Sequence, residues 1–507
     1  MASAELKSVD PASLDAFRAE LIEAGFEPAA AGGRRWQGPL HPALAKFTSA
    51  KTMRICIQDG WPYRPPTLHV RGIASEHAVL NGELCLFQPG EHDVSAWLTL
   101  TAYNARIAVW ADLARDGFRL EDDLLDPHLY FRANSSALAT LDLAGIPAEG
   151  DKEKTGMLRG TWTGRRHVLA LSTGSSAQGD VLPGRWYYNP AVSAPPRDLA
   201  GFREALTNGQ RKNLERRLNA VQRDRREAVL ALLWETRAGQ RNCLVVLAEP
   251  DESEPKLRSV ELAPTDRETL LLRAGPDTGA LASKRVVLFG AGAIGSHVAS
   301  LLSCAGLGEL RAVESEILRP GNVVRHAGAP SFVGWNKAIA TEIAVESRSP
   351  WTKFDFEFES WDGERLAELI SDCDLAIDGT GLVAFAELLG RVALDAETPL
   401  VSAALFRGGF LGRIRRQMPG LDTPLLERQA SEEFPVIPAG EEPARFEVGC
   451  SAAVNNASPI AVAAVSATTA EVAVDLLTDR LEYAAELIDV YRPLRDAPFD
   501  RIGRVIG

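Results

Sequence analysis

A glycine-rich turn and the acidic residue that follows it are the best candidates for chemistry in this sequence. Gly290, Gly292 and Gly295 form GAGAIG, which lies between the strand-like run RVVLF and a helix-like run. Glycines at this spacing let a phosphate approach backbone N–H groups at a helix N-terminus. Glu314 ends the next strand-like run, where an acidic side chain can accept hydrogen bonds from ribose hydroxyls. Taken alone, these features are most typical of an NAD-dependent dehydrogenase.

The charged residues that follow favour ATP over NAD. Asn322, Arg325 and Lys337 come after the acidic run that ends at Glu316, and hydride transfer has no evident need for them. Arg325 and Lys337 can stabilise charge on the pyrophosphate that leaves when ATP activates a carboxylate, and Asn322 can orient a phosphate or the carboxylate. Asp378 ends a later strand in LAIDGTG, where it could hold Mg²⁺. Each charge alone is also compatible with a surface ion pair.

Alternating strands and helices must position these residues. The runs RVVLF, SHVASLLSCAGL and ELRAVE describe a parallel βαβ unit, and DLAIDGT and PLVSAAL read as later strands. The ordered motifs resemble the adenylation domain of ubiquitin-activating enzymes and of their ThiF- and MoeB-like bacterial relatives, over about residues 280–480. The resemblance departs in two places, since the acidic pair is Glu instead of Asp and Gly381 stands where a second Asp is common.

The resemblance to activating enzymes implies ATP and Mg²⁺ as cofactors and a homodimer. It also implies a nucleotide role for one set of residues, with Asp378 as the metal ligand and Arg325 and Lys337 as catalytic residues. The set is Gly290, Gly292, Gly295, Glu314, Glu316, Asn322, Arg325, Lys337 and Asp378.

Cys450 is the candidate nucleophile of the activating region. It lies in FEVGCSAAVNN, shortly before the helix-like run PIAVAAVSATTAEVAVDLL, and a thiol beside a helix N-terminus can have a lowered pKa. In activating enzymes the thioester cysteine also follows the strand that carries the Asp. The alternative is a buried cysteine at a helix start.

Cys85 is the second candidate thiol. The motif WPYRPPTLHV precedes it and AWLT follows it, and residues 10–120 resemble the ubiquitin-conjugating enzyme fold, which implies that Cys85 is the conjugating cysteine. The usual H-P-N motif is absent, because His77 is followed by Ala-Val. Asn81 is a candidate oxyanion donor or simply part of a tight turn. His77 and Cys85 could also be packing residues.

The fold prediction is an α/β and α+β multidomain protein. Residues 1–150 are predicted to form an α+β ubiquitin-conjugating-like domain, 151–279 an intermediate mixed α/β segment, and 280–507 a doubly wound, Rossmann-like adenylation domain with the thioester cysteine. In the middle segment, GTWTGRRHVLALSTG and RNCLVVLAEP predict strands. The stretch from REALTNGQ to LALLWE predicts one long charged helix.

Composition excludes several classes of partner. The net charge of -13, from 68 acidic and 55 basic residues, disfavours nucleic acid. We find no basic leader followed by an apolar stretch and no run of about 18 apolar residues, so we expect a cytoplasmic protein without a membrane partner. The six cysteines include no C-x-x-C pair, which argues against a zinc site.

The residues and resemblances together predict a fusion of an activating and a conjugating enzyme. ATP would adenylate the C-terminus of a ubiquitin-like modifier, which would pass from Cys450 to Cys85 and then to a lysine of a target protein. This domain order resembles the fusion enzymes of CBASS anti-phage operons, which act on the C-terminus of a CD-NTase. The main competing hypothesis is an adenylyltransferase for a sulfur-carrier protein in cofactor biosynthesis. A dehydrogenase and a non-catalytic module that binds a ubiquitin-like partner are two further hypotheses.

Overall fold

The computed structural model of the protein describes residues 9–507 except 30–31, 74, 76, 80–81, 88–92, 119–125, 145, 147–153, 165–166, 175–180, 193–194, 236–240, 359–361, 429, 439–444, 447–452 and 455. The chain forms two units, Met1–Asp266 and Arg267–Gly507. Each unit has hydrophobic cores of its own.

The first unit opens with a helix, an antiparallel meander and a second helix. Its strands pair in chain order, β1-β2-β3-β4-β5, and the core includes the fully buried Trp61, Trp97 and Tyr103. Trp110 of the second helix is also buried in this core. The elements are α1 (Pro11–Glu23), β1 (Glu27–Pro28), β2 (Arg35–Pro39), β3 (Thr52–Cys56), β4 (Thr67–His69), β5 (Glu83–Leu84) and α2 (Leu100–Asp116).

A closed barrel forms the rest of the first unit. Its strands follow the order β10-β11-β12-β6-β8-β7-β9, and parallel pairing of β9 with β10 closes it. One cluster of apolar side chains fills the interior, and a second lies between the barrel and its helices. The elements are β6 (Asn134–Leu141), β7 (Thr155–Thr163), β8 (Val168–Ser172), β9 (Val181–Tyr188), α3 (Leu199–Glu204), α4 (Asn208–Asp224), β10 (Ala228–Glu235), β11 (Arg241–Glu249) and β12 (Lys256–Pro264).

The barrel corrects two expectations for the middle of the chain. The strands predicted in GTWTGRRHVLALSTG and RNCLVVLAEP are present, but the stretch predicted as one long helix is broken after Glu204, α4 covers only Asn208–Asp224, and Ala228–Glu235 is a strand. Arg225 adopts a left-handed conformation (φ 48°) that ends the helix. A strand buried on both faces reads as a continuous apolar run, which periodicity cannot distinguish from a helix. The predicted boundary at residue 150 also lies between two strands of this barrel, β6 and β7.

The second unit is built on one mixed sheet with the strand order β15-β14-β13-β16-β17-β18-β21-β22. Strands β13 to β17 are parallel, whereas β18, β21 and β22 extend the sheet in antiparallel pairs. The elements are α5 (Arg267–Leu271), α6 (Thr278–Leu281), β13 (Arg285–Phe289), α7 (Ala293–Cys304), β14 (Glu309–Val313), α8 (Lys337–Glu346), β15 (Lys353–Glu357), α9 (Gly363–Ile370), β16 (Leu375–Asp378), α10 (Val383–Asp395), β17 (Leu400–Phe406), β18 (Leu411–Gln417), α11 (Leu425–Arg428), β19 (Arg445–Phe446), β20 (Ala453–Val454), α12 (Pro459–Leu477), β21 (Glu486–Val490) and β22 (Gly503–Ile506).

Helices cover both faces of this sheet. They are needed because successive apolar side chains of β13 point to opposite faces. Val286 and Leu288 pack in a cluster with side chains of α7, α8 and α12, whereas Val287 and Phe289 pack with side chains of α9 and α10. Successive side chains of a strand point to opposite faces. The prediction of a doubly wound, Rossmann-like domain is therefore confirmed for this part of the chain.

Helix α12 is the one described helix with the length and hydropathy of a membrane span, a feature that the sequence patterns above do not predict. An 18-residue window within Pro459–Leu477 has a mean hydropathy of 1.7, and 61% of it is buried inside the protein. The helix packs against α7 and β17. Its apolar character is accounted for by this position in the core.

Candidate functional site

The glycine-rich turn lies between the carboxyl end of β13 and the N-terminus of α7. A Cβ on Gly295 would overlap the carbonyl oxygen of Gly290, so the close approach of these backbones requires glycine. Gly290 itself has φ 84°. Among the described residues, a Cβ on Gly292, the N-cap of α7, would meet no atom within 4 Å, and no side chain caps this helix end. The turn therefore has the backbone N–H groups and the free space that a phosphate needs.

Glu314 is buried and holds the glycine-rich turn. One of its carboxylate oxygens accepts from the N–H of Ala291 at 3.0 Å, and the other accepts from the N–H groups of Ser315 and Glu316 at 2.9 and 2.7 Å. Burial and, to a smaller extent, the charge of Glu316 raise the pKa of this carboxyl, against the opposing effect of Lys337 and of the hydrogen bonds from the N–H groups of Glu316 and Ser315. A carboxylate has about four acceptor positions. Three are used here, so the structure adds a supporting role to the predicted contact with ribose.

Glu316 and Lys337 form an ion pair between the segment after β14 and the start of α8. The Lys337 side chain is 10% exposed and its Nζ donates to the carboxylate of Glu316, which is 70% exposed. A short antiparallel contact holds them, because the N–H of Lys337 donates to the carbonyl of Glu316 and that of Leu318 donates to Trp335. Lys337 is the first residue of α8. The predicted cation is thus next to the predicted acidic pair.

Asn322 and Arg325 lie on one 3-10 turn, Pro320–Arg325, between β14 and α8. The Asn322 Oδ1 accepts from the N–H of Arg319 at 3.2 Å, which gives this amide a local role in the turn. The half-buried Arg325 donates to the carbonyl of Ala457 at 3.4 Å, and burial lowers its pKa. Ala457 is seven residues after Cys450 in the sequence.

Asp378 is almost completely buried at the carboxyl end of β16. One carboxylate oxygen accepts from the N–H and Oγ1 of Thr380 at 3.0 and 2.7 Å, and the other accepts from Ser402 Oγ at 2.8 Å. Ser402 also accepts from the buried Arg415 at 3.2 Å. Burial raises the pKa of Asp378, although these hydrogen bonds and Arg415 oppose the rise.

These contacts define how a metal could bind at Asp378. Its carboxylate keeps one acceptor position, and among the described residues no group of three or more His, Cys, Asp or Glu side chains is placed to hold a metal. Mg²⁺ commonly takes one or two carboxylates and completes its shell with phosphate and water oxygens. The residues present therefore fit Mg²⁺ only as an ion that arrives with the triphosphate.

Sequence patterns did not identify four supporting side chains. Thr380, Ser402 and Arg415 surround Asp378, and His326 contacts the glycine-rich turn. Thr380 and His326 lie within two residues of Asp378 and Arg325 in the sequence. This proximity is the one sequence feature that could have pointed to their roles. Ser402 and Arg415 reach the site only through the pairing of β16, β17 and β18.

Cys450, the predicted thioester cysteine, lies outside the described residues, as does Asn81. Helix α12 begins at Pro459 with Ser458 as its N-cap. The helix predicted after Cys450 is therefore present, nine residues beyond it.

In the first unit, Cys85 lines a cavity of about 480 Å³. Its Sγ donates to the carbonyl of Phe87 at 3.6 Å, and its N–H donates to the carbonyl of His77 at 2.9 Å. Burial and, secondarily, Glu83 raise the pKa of this thiol, while Arg106 opposes the rise. The His77 ring packs on Phe118, with centroids 4.1 Å apart, which favours the packing role for His77.

The cavity beside Cys85 is large enough for a small ligand or a short extended peptide. One wall comes from the sheet and the segment around Cys85, and the other comes from residues that lead into the barrel. The lining residues are Pro65, Pro66, Thr67, Val79, Glu83, Leu84, Cys85, Leu86, Phe87, Leu129, Phe131, Arg132 and Asn134.

Comparison with known proteins shows what the second unit is similar to. Residues 267–493 match the ThiF family. The ATP-dependent ubiquitin transferase-like protein Cap2 of Vibrio cholerae is 34% identical over 138 residues, which are 25% of this chain and 23% of that protein. The molybdopterin-synthase adenylyltransferase of Escherichia coli is 30% identical over 129 residues, 25% of this chain and 52% of that protein.

Among solved structures, MccB of E. coli with ATP is similar to this chain at 14% identity and a TM-score of 0.36. The match covers 47% of this chain and 69% of that one. This chain therefore spans only 23% of the length of the Vibrio cholerae protein and 52% of the length of the Escherichia coli adenylyltransferase.

Proposed function

We propose that this protein adenylates the C-terminal carboxylate of a ubiquitin-like modifier or a CD-NTase and transfers it through two cysteines to a target amine. The observation that carries the first step is one constellation in the second unit. Three features come at or after the carboxyl ends of neighbouring parallel strands. They are the open N-terminus of α7 at Gly292, the Glu316–Lys337 pair and Asp378. Open α/β sheets bind their ligands at this edge.

In the adenylation step, an oxygen of the carboxylate attacks the α-phosphorus of ATP. The bond from that phosphorus to the bridging oxygen breaks, pyrophosphate leaves, and an acyl adenylate forms. The backbone N–H groups at Gly292 and the start of α7 would hold phosphate oxygens. Lys337 and Arg325 would stabilise the negative charge of the leaving pyrophosphate. When bound, Mg²⁺ held by Asp378 would neutralise further phosphate charge.

In the transfer steps, the thiolate of Cys450 attacks the acyl carbon and AMP leaves. The thiolate of Cys85 then attacks the thioester and releases Cys450. Finally a lysine amine attacks, Cys85 leaves as the thiolate, and an amide forms. The cavity beside Cys85 supports this assignment, because it gives an extended C-terminal segment a place next to the sulfur.

Acceptor-dependent exchange of radiolabelled pyrophosphate into ATP tests the adenylation step. The probes are candidate acceptor proteins encoded beside this chain, with ATP and Mg²⁺. We expect Lys337→Met to lower the exchange rate by about 100-fold or more, since each preorganised contact to transition-state charge contributes on this scale. The exposed Lys353, which pairs with Glu309, gives the matched control Lys353→Met, which should keep the wild-type rate.

A sulfur-carrier adenylyltransferase is the second candidate. The similarity to a molybdopterin-synthase adenylyltransferase and the raised pKa of the Cys85 thiol favour it. Both candidates predict pyrophosphate exchange, but only the relay needs Cys85. Exchange and carrier activation that survive in full in Cys85→Ala, with no conjugate formed by the wild type, would establish the sulfur-carrier function.

A further inference from the structure

His326 is a buried side chain that bridges two backbone segments of the nucleotide site. The imidazole is 7% exposed. Its Nε2 lies 2.8 Å from the carbonyl oxygen of Ala291 in the glycine-rich turn, and its Nδ1 lies 2.8 Å from the N–H of Gly328. Glycine at 328 permits this approach, because a Cβ there would lie 2.9 Å from Nδ1.

The two contacts fix the protonation state of this imidazole. A carbonyl oxygen only accepts and an amide N–H only donates, so Nε2 must carry the hydrogen and Nδ1 must be bare. A second proton would face the N–H of Gly328. Burial lowers the pKa of His326 to about 4, which agrees with a neutral ring.

The peptide groups on both sides of Ala291 are consequently held by buried side chains. The N–H of Ala291 donates to Glu314 at 3.0 Å, and its carbonyl accepts from His326. Ala291 lies between Gly290 and Gly292, whose backbones lack the restraint that a side chain gives. These contacts replace that restraint.

The segment that carries Arg325 is fastened to the same turn and to α7. The carbonyl of Arg325 lies 3.2 Å from His297 Nε2, and the N–H of Ala327 donates to Ser296 Oγ at 3.1 Å. His297 and Ser296 are on α7. His326 is therefore one of several hydrogen-bonding residues that join the glycine-rich turn and α7 to the segment that carries Arg325.

We propose that His326 is a positioning residue that sets the spacing between the glycine-rich turn and Arg325 for the nucleotide. The inference rests on the proposed function, because it takes ATP as the ligand. His326 would contact no substrate atom and would act through Ala291. Loss of its contact with Ala291 should then weaken ATP binding and leave the chemical step largely unchanged.

Two substitutions separate the contact with the turn from the local contact with Gly328. The amide nitrogen of Gln in His326→Gln can occupy the position of Nε2 and donate to Ala291, but this variant loses the acceptor for Gly328. Asn in His326→Asn places an oxygen at the position of Nδ1 and accepts from Gly328, but it does not reach Ala291. Both variants replace the imidazole with an amide side chain. His326→Gln keeps the hydrogen bond to Ala291, whereas His326→Asn keeps the one from Gly328.

The first readout is the Kd for AMPCPP with Mg²⁺, measured by calorimetry on the full chain. We expect His326→Gln to bind within about two-fold of wild type and His326→Asn to bind at least about five-fold more weakly, as an unsatisfied buried carbonyl would cause. In the exchange assay this loss should appear in the KM for ATP and not in kcat. The second readout is hydrogen–deuterium exchange without nucleotide, where peptides covering 289–296 should exchange faster in His326→Asn alone.

Other outcomes would overturn the proposal. Equal binding by both variants, or weaker binding by His326→Gln than by His326→Asn, would show that the contact with the turn does not position the nucleotide. Failure of the proposed function would look different. In that case the wild type would not bind AMPCPP, while the hydrogen–deuterium exchange would still report whether His326 holds the turn.

Discussion

At the scale of single residues, the site combines motif residues with side chains that serve them. The sequence predicts that Glu314 faces the ribose, yet this residue accepts three backbone hydrogen bonds around the glycine-rich turn. It predicts that Asp378 faces a metal, and the carboxylate is held by Thr380 and Ser402. Sequence motifs identify these positions because their order along the chain is distinctive. They cannot supply the contacts, which join residues brought together only by the sheet.

Asp378→Asn should separate the chemical role of this residue from its structural role. Because burial raises the pKa of Asp378, the folded state disfavours the charged carboxylate, and a neutral amide should not cost stability near pH 7. The amide oxygen can accept from Thr380, and the amide nitrogen can donate to Ser402. We expect a Tm within a few degrees of wild type and an exchange rate lowered by about 100-fold or more.

Calorimetry and pyrophosphate exchange on the same preparation check this expectation. A large fall in Tm would make Asp378 a structural residue, and full exchange activity would remove its proposed contact with metal.

The Cys85 thiol should react slowly at neutral pH. Burial and Glu83 raise its pKa, so the thiolate fraction at pH 7.5 is below that of an unperturbed cysteine and increases as the pH rises. Site-resolved mass spectrometry after iodoacetamide pulses from pH 7 to 10 measures this directly. Glu83→Gln, which removes the acidic neighbour, should shift the profile to lower pH. A Cys85 profile centred below pH 8 would contradict this description.

At the scale of elements, the glycines of the β13–turn–α7 unit have different roles. Gly295 is required by contact with the backbone of Gly290, whereas a Cβ on Gly292 would meet no atom within 4 Å in the part of the chain that the structure describes. Gly295→Ala should therefore lower the Tm by about 5 °C or more, in line with a steric clash in a packed turn. Gly292→Ala should leave the Tm unchanged and weaken AMPCPP binding by about ten-fold, because the new methyl group would occupy the phosphate space.

Thermal unfolding and calorimetry of these two variants test the assignment. Unchanged nucleotide binding by a stable Gly292→Ala variant would show that phosphate does not bind at this helix end.

A helix or strand can be predicted from sequence where it buries one face only or carries a local motif. The βαβ unit at RVVLF follows from its strand, glycines and helix, which are local in sequence. The strand Ala228–Glu235 resembles a helix in sequence because both of its faces are buried, and barrel closure depends on pairing with β9 and β11. The packing of α12 against α7 likewise joins distant parts of the chain.

At the scale of the whole molecule, the boundary at Asp266 and Arg267 separates the two proposed activities. The second unit contains its own hydrophobic cores and all the predicted nucleotide residues. A fragment of residues 267–507 should therefore catalyse acceptor-dependent pyrophosphate exchange and form a thioester on Cys450, but make no conjugate. Circular dichroism establishes whether it is folded, and a folded fragment without exchange activity would mean that the first unit is needed for adenylation.

The relay through two cysteines is the central claim, and intact mass spectrometry tests it most directly. The full chain would be mixed with ATP, Mg²⁺ and candidate acceptor proteins encoded beside it, as wild type, Cys450→Ala and Cys85→Ala. We predict an ATP-dependent, thiol-labile adduct that is absent in Cys450→Ala and trapped on Cys450 in Cys85→Ala. A labile adduct on Cys85 in Cys450→Ala, or no adduct with an acceptor that supports pyrophosphate exchange, would contradict the relay.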